Sequence, residues 1–119
     1  MKKWTLGSLA LFISVNAIAF PITLEHKYGS LVISEKPTRI VTVGYTDHDE
    51  ALSFDIKPLA VRDWYGNQPY GVWPWAQKNL GDSKPVVLKP RILDYETIAA
   101  LNPDLIIGVS SVMNEKEYK

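Results

Sequence analysis

The chain has no cysteine among its 119 residues. No disulfide can staple the fold, no thiolate can hold zinc, and no lipid can be attached to a cysteine behind an export signal. Histidine is nearly as scarce. His26 and His48 are the only two and share no H-x-x-x-H spacing, which argues against direct histidine ligation of a metal. Tyrosine and carboxylate oxygens could still contact a hard cation, but nothing in their spacing demands one. An excess of either charge is also missing, with thirteen basic residues against thirteen acidic ones and no run of like sign. There is no internal repeat, and the eight prolines and seven glycines are dispersed as punctuation. Nucleotide and hydrolase signatures are absent: no G-x-G-x-x-G, no Walker lysine and no G-x-S-x-G elbow. Ser110, His48 and Asp47 could be assembled into a Ser-His-acid set, but no such elbow presents the serine.

What is present begins at the amino terminus. Met1-Lys2-Lys3 is basic, Trp4 to Ile18 is largely apolar, and Ala17-Ile18-Ala19 is a small-x-small site. This is the pattern of a secretory signal peptide over residues 1–19. The run is shorter than the roughly 20 apolar residues a spanning helix needs, and Ser8, Ser14 and Asn16 interrupt it. Cleavage after Ala19 removes Lys2 and Lys3, leaving eleven basic and thirteen acidic residues, a net charge of −2. That balance argues against a nucleic-acid-binding surface. Residues 20–119 can form one small domain.

Ile22–Glu25 and Leu31–Ile33 read as the arms of a hairpin around Lys27-Tyr28-Gly29-Ser30. Arg39–Gly44 reads as a strand. Thr46 with Asp49, and Asp47 with Glu50, have the spacing of capping boxes, so a helix is expected from there to about Phe54. Leu59–Arg62 reads as a second strand. Asp63–Pro90 reads as irregular, with a short helix at Trp75–Leu80 closed by Gly81. Asp94 should cap a helix over Tyr95–Leu101, ended by Asn102-Pro103. Leu105–Val109 is continuously apolar and reads as a central parallel strand. Strands alternating with helices imply an α/β fold, a Rossmann-like parallel sheet with an N-terminal hairpin.

Ligands of such sheets bind beyond the carboxyl ends of the strands. Three segments should converge there: Gly44–Asp49, Arg62–Gly66 and Gly108–Val112. They offer Tyr45, Thr46, Asp47, Arg62, Trp64, Tyr65 and Ser110. Asp47 could equally cap its helix, Arg62 could pair with Asp63 or Glu50 at the surface, and His48 reads as a surface residue. Trp64, Trp73 and Trp75 lie within twelve positions of one irregular segment. Rings so placed either fold over the core or line a pocket.

Pro37-Thr38-Arg39-Ile40-Val41 resembles the P-x-R-I-V opening of periplasmic iron–siderophore binding proteins of ABC importers. Glu96 to Ile107 resembles their E-x-I-x-x-L-x-P-D-L-I-I segment. Gly44-Tyr45-Thr46-Asp47 and Tyr70–Trp75 resemble a ferric-siderophore branch, of the ferric hydroxamate type. The resemblance covers essentially all of residues 20–119. It implies the first of two α/β lobes joined by a long helix, so the chain shown is expected to be a truncated piece. It further implies capture of a ferric siderophore in the periplasm by a monomer and delivery to a membrane permease, with no catalytic residue and no cofactor. Without a cysteine to lipidate, the protein should be free in the periplasm. Ligand-side residues would be Tyr45, Thr46, Asp47, Arg62, Trp64, Tyr65, Trp73 and Ser110, and Glu96 would dock on the permease. A haem, cobalamin or metal-ion carrier of the same fold, or an exported α/β hydrolase fragment, is the alternative. One departure is Phe54-Asp55-Ile56, where the family usually has a glycine. Asp55 should then take the left-handed turn.

Overall fold

A computed structural model describes residues 19–119. The expected signal peptide lies outside the described residues, apart from Ala19. Strands β1 (Ile22–His26) and β2 (Gly29–Ile33) form the expected hairpin, in register from Ile22 opposite Ile33 to His26 opposite Gly29. Then come β3 (Ile40–Thr42), α1 (Asp47–Ser53), β4 (Ala60–Arg62), α2 (Pro74–Leu80), β5 (Val86–Leu88), α3 (Tyr95–Ala100), β6 (Leu105–Ile107) and α4 (Glu115–Tyr118). A single 3₁₀ turn at Pro69–Gly71 leads into α2.

The second sheet is wholly parallel, in the order β5-β4-β3-β6. Side chains alternate between its two faces. Val41, Val43, Ala60 and Leu88 share one face with Leu93 and with Ile98 of α3. On the other side Leu52, Val72, Ala76 and Leu80 join α1 to α2. Each fully buried leucine there contributes about 2 kcal/mol of hydrophobic stabilisation. The α/β class and the parallel sheet with its hairpin are as expected.

Two expectations need correction. Val86–Leu88, inside the stretch read as irregular, is a strand. It has only three residues, between Pro85 and Lys89-Pro90, and its identity comes from pairing with Ala60–Arg62. Conversely, Leu105–Ile107 stands last in the strand order of the described residues. Among the described residues it pairs only with β3, and Ile106 is 48% exposed. An apolar run reports hydrophobicity, and strand order is a property of the whole sheet.

Local signals did better elsewhere. Asp94 caps α3, its carboxylate accepting from the Thr97 backbone at 3.1 Å and from the Thr97 hydroxyl at 2.7 Å. Asp55 does adopt positive φ, at 59°. Asn114 and Glu117 form a capping box on α4, an element the sequence reading did not foresee. The hairpin reaches that region through the Tyr28 hydroxyl, which donates to the Met113 carbonyl at 2.7 Å.

Two of the segments that carry the family resemblance meet in space. Asp104, just before β6, accepts from the Thr38 and Arg39 backbones at 2.9 and 2.8 Å and from the Thr38 hydroxyl at 3.1 Å. Arg39 in turn donates to the carbonyls of Leu101 and Asn102. These contacts close the amino end of the sheet, opposite the expected ligand edge.

Candidate functional site

At the carboxyl end of the sheet the loops after β3, β4, β5 and β6 converge. The capping boxes expected at α1 do not form there. Thr46 occupies the N-cap position without a side-chain cap bond. Its hydroxyl and backbone N–H instead donate to Ser110 Oγ, at 3.2 and 3.1 Å. Asp47 is 2% exposed and accepts from the Val109 N–H at 2.9 Å, the Ser110 N–H at 3.1 Å and the Ser110 hydroxyl at 2.8 Å. Its carboxylate thus serves the loop after β6 rather than its own helix. Gly44 makes room for this, because a Cβ at that position would coincide with the Asp47 carboxylate.

Arg62 ends β4 and is 5% exposed, so it is no surface ion-pair partner. Its Nε donates to the Pro90 carbonyl at 3.1 Å, and Nη1 donates to the carbonyls of Val43 at 3.3 Å and Ser111 at 3.1 Å. The guanidinium also lies 4.5 Å from the centre of the Tyr45 ring. One side chain therefore clasps the loops that follow the other three strands. The Tyr45 hydroxyl donates to the same Pro90 carbonyl at 2.7 Å.

From Tyr45 a chain of rings runs outward. Successive centroids are 6.2 Å apart to Trp64, 4.7 Å to Tyr65, 4.9 Å to Trp73 and 5.1 Å to Trp75. The middle contacts are edge-on, and the last pair is stacked within 10°. Such geometries suit the ring quadrupoles and add roughly 0.5–1.5 kcal/mol per pair beyond area burial. Trp75 is 68% exposed, and its indole N–H donates to Asp49 Oδ2 at 2.8 Å. Trp64 and Tyr65 are also exposed. Together the rings form a contiguous and largely exposed aromatic surface.

The structure thus gathers Tyr45, Thr46, Asp47, Arg62 and Ser110 into one bonded cluster, and Trp64, Tyr65 and Trp73 into the ring chain beside it. Glu96 is elsewhere. It lies in the exposed first turn of α3 and lines an open groove of about 540 Å³ with Val86, Val87, Ile92 and Tyr95. That lining includes none of the ligand-side residues. Sequence reading missed Pro90, because the loop carrying it follows the unrecognised β5. It also missed Asp49 as the support of Trp75. His48, expected at the surface, is 1% exposed. Among the described residues no group of three or more metal-ligating side chains is assembled.

Residues 41–119 match the periplasmic binding protein family. The chain belongs to that family. Among curated relatives, the Fe(3+) dicitrate-binding periplasmic protein FecB of Escherichia coli is 30% identical over 93 residues, covering 78% of this chain and 30% of the relative. Among solved structures, a periplasmic solute binding protein from Mycobacterium smegmatis superposes with a TM-score of 0.78 at 40% identity, covering 82% of this chain and 34% of that one. PiaA of Streptococcus pneumoniae, solved in complex with ferrichrome, matches with a TM-score of 0.69 at 25% identity over 82% of this chain and 34% of its own. The chain therefore spans about a third of the length of these periplasmic binding proteins.

Proposed function

We propose that this chain supplies the first lobe of a substrate-binding protein that captures a ferric siderophore and hands it to an ABC importer. The observation that carries the reading is the ring chain from Tyr45 to Trp75, set beside a rigid loop cluster at the carboxyl edge of a parallel sheet. Pockets with aromatic walls and a few fixed polar groups suit large organic ligands. Two relatives support the choice of ligand: one is a ferric dicitrate-binding protein, and another was solved with ferrichrome bound.

The action is binding, with no bond made or broken. The iron stays inside its chelator, and the rings contact the chelator's outer shell. Arg62 already donates to three carbonyls, so it acts by shaping the edge rather than by neutralising the ligand. A chelate of low charge, of the hydroxamate or carboxylate type, suits such a wall better than a triply negative catecholate complex. Export by the signal peptide would place the protein free in the periplasm. Glu96, exposed at the rim of its groove, is suited to meet a permease.

Titrating the intact protein with ferrichrome and ferric dicitrate while following tryptophan emission tests this. Saturable quenching by one of them is expected. No quenching by any siderophore, alongside tight binding of haem or cobalamin, would sink the reading.

A further inference from the structure

His48 sits on α1 with its ring buried, and neither ring nitrogen has a hydrogen-bond partner. Asp49 Oδ1 is buried and equally unpartnered, 3.5 Å from His48 Nε2. The other oxygen of Asp49 is the one that holds the Trp75 indole. Asp49 therefore stands between an unsatisfied imidazole and the outer end of the ring chain. The Gly71 backbone lies close enough to the His48 ring to favour its charged form, without reaching hydrogen-bond geometry. Gly71 is buried at φ +66°, where a Cβ would meet Val61 Cγ2 at 3.2 Å. The start of the aromatic segment is thus seated between β4 and α1.

Burial is the strongest influence on His48 and lowers its pKa below the ordinary value. Asp49, Asp47, the Gly71 backbone and Glu50 oppose it, in that order. Asp47 is already committed to Val109 and Ser110. The Pro69–Gly71 turn brings no charged side chain, α2 carries only the exposed Lys78, and the Gly108–Val112 loop carries none. The ring is therefore neutral at neutral pH. A proton placed on it must be either hydrated or paired. Hydration requires the covering segment to lift. Pairing requires Asp49 Oδ1 to close on the ring from 3.5 Å, which turns the carboxylate whose Oδ2 supports Trp75. Both routes disturb the seating of the ring chain.

We infer that His48 is a positioning residue for the aromatic wall, and that its protonation loosens Gly71–Trp75 from α1 and weakens whatever the wall holds. The sign follows from linkage. A neutral, buried histidine stabilises the seated segment at and above its ordinary pKa of about 6.5. That contribution is lost as pH falls from there through the lowered folded value.

The test uses the intact protein without ligand, between about pH 8 and pH 4.5, the range that spans histidine titration. The His48 ring proton is followed by NMR, separately from that of His26, which lies on β1 beside Tyr118. Tryptophan emission and amide exchange are followed in parallel. We expect a His48 midpoint below about 6.5, a red shift of emission with that midpoint, and protection at residues 71–76 falling about tenfold while β3 and β4 hold. His48→Gln should abolish the step. If His48 titrates while emission and protection stay constant, or if the step persists in His48→Gln, the inference is overturned. Should that variant not fold, the wild-type measurements alone decide. A second arm, the affinity for ferrichrome at about pH 7.5 and pH 5, rests on the binding reading, and weaker binding in acid is expected. Complete absence of ferrichrome binding counts against that ligand and leaves the ligand-free measurements to decide the role of His48.

Discussion

Each end of the parallel sheet is closed by an aspartate that ties the β3 side to the β6 side. At the amino end Asp104 accepts three hydrogen bonds from Thr38 and Arg39. At the carboxyl end Asp47 accepts three from Val109 and Ser110. The acceptor chemistry and the number of bonds agree, but the surroundings do not. Asp104 is exposed, and Asp47 is buried. Water reaches Asp104 freely, whereas the Asp47 carboxylate is shielded from it and depends on the donors of an otherwise open loop. The end that presents the candidate site is therefore the one whose geometry tolerates least.

Removing the buried partner should break the comparison most sharply. Asp47→Ala is expected to cost on the order of 3 kcal/mol, read by chemical denaturation, because two backbone N–H groups and a hydroxyl lose their acceptor. A loss under about 1 kcal/mol would mean that water reaches this end as it reaches the other. Gly44→Ala should also destabilise, by forcing its Cβ into the Asp47 carboxylate. In the Asp47→Ala background that penalty should shrink, giving a coupling of about 1 kcal/mol or more. Strict additivity would show that the two residues do not share the space.

Trp75→Phe probes the ring chain that flanks the buried end. It deletes the indole bond to Asp49 and keeps an aromatic face against Trp73. The expected loss is at most about 1 kcal/mol, with a visible change in the emission of Trp73. An unchanged emission spectrum would separate Trp75 from the chain.

The exposed aspartate should give the smallest effect and a distinctive pH dependence. Hydrogen bonding from the Thr38 backbone is the strongest influence on the Asp104 carboxyl and, with the Arg39 backbone and the Thr38 hydroxyl, holds it below the usual carboxylate range; desolvation opposes them and is second in strength. A depressed carboxyl stabilises the fold above that range and loses its contribution as pH falls through the lowered value. Asp104→Asn should therefore be slightly less stable than the parent near neutral pH and converge with it in strong acid. A gap that stayed constant with pH would remove Asp104 from the account.

The hairpin, α2 and α3 were legible because their signals are local. Asp94 precedes its helix and bonds three residues ahead, so spacing is sufficient evidence. The loops after β3, β4 and β6 were legible as an edge, because alternating strands and helices imply a parallel sheet. β5 was not, since three residues between prolines become a strand only by pairing with β4. Spacing suggests caps at Thr46 and Asp47, whereas their actual partner, Ser110, lies more than sixty positions away. Two of the motifs that carry the family resemblance, around Thr38–Arg39 and Asp104, fasten the end away from the site, while Gly44–Asp47 and Tyr70–Trp75 lie at it.

Sequence alone determined the α/β class, the hairpin, α2 and α3, and three of the loops from which a site could be built. Those follow from periodicity, capping and turn chemistry, which act over a few residues. Tertiary structure alone decided the strand order, the burial of His48, and the use of Asp47 and Arg62 as internal ties. Each of those depends on which distant backbone groups would otherwise be buried without a partner, and only the folded chain specifies that.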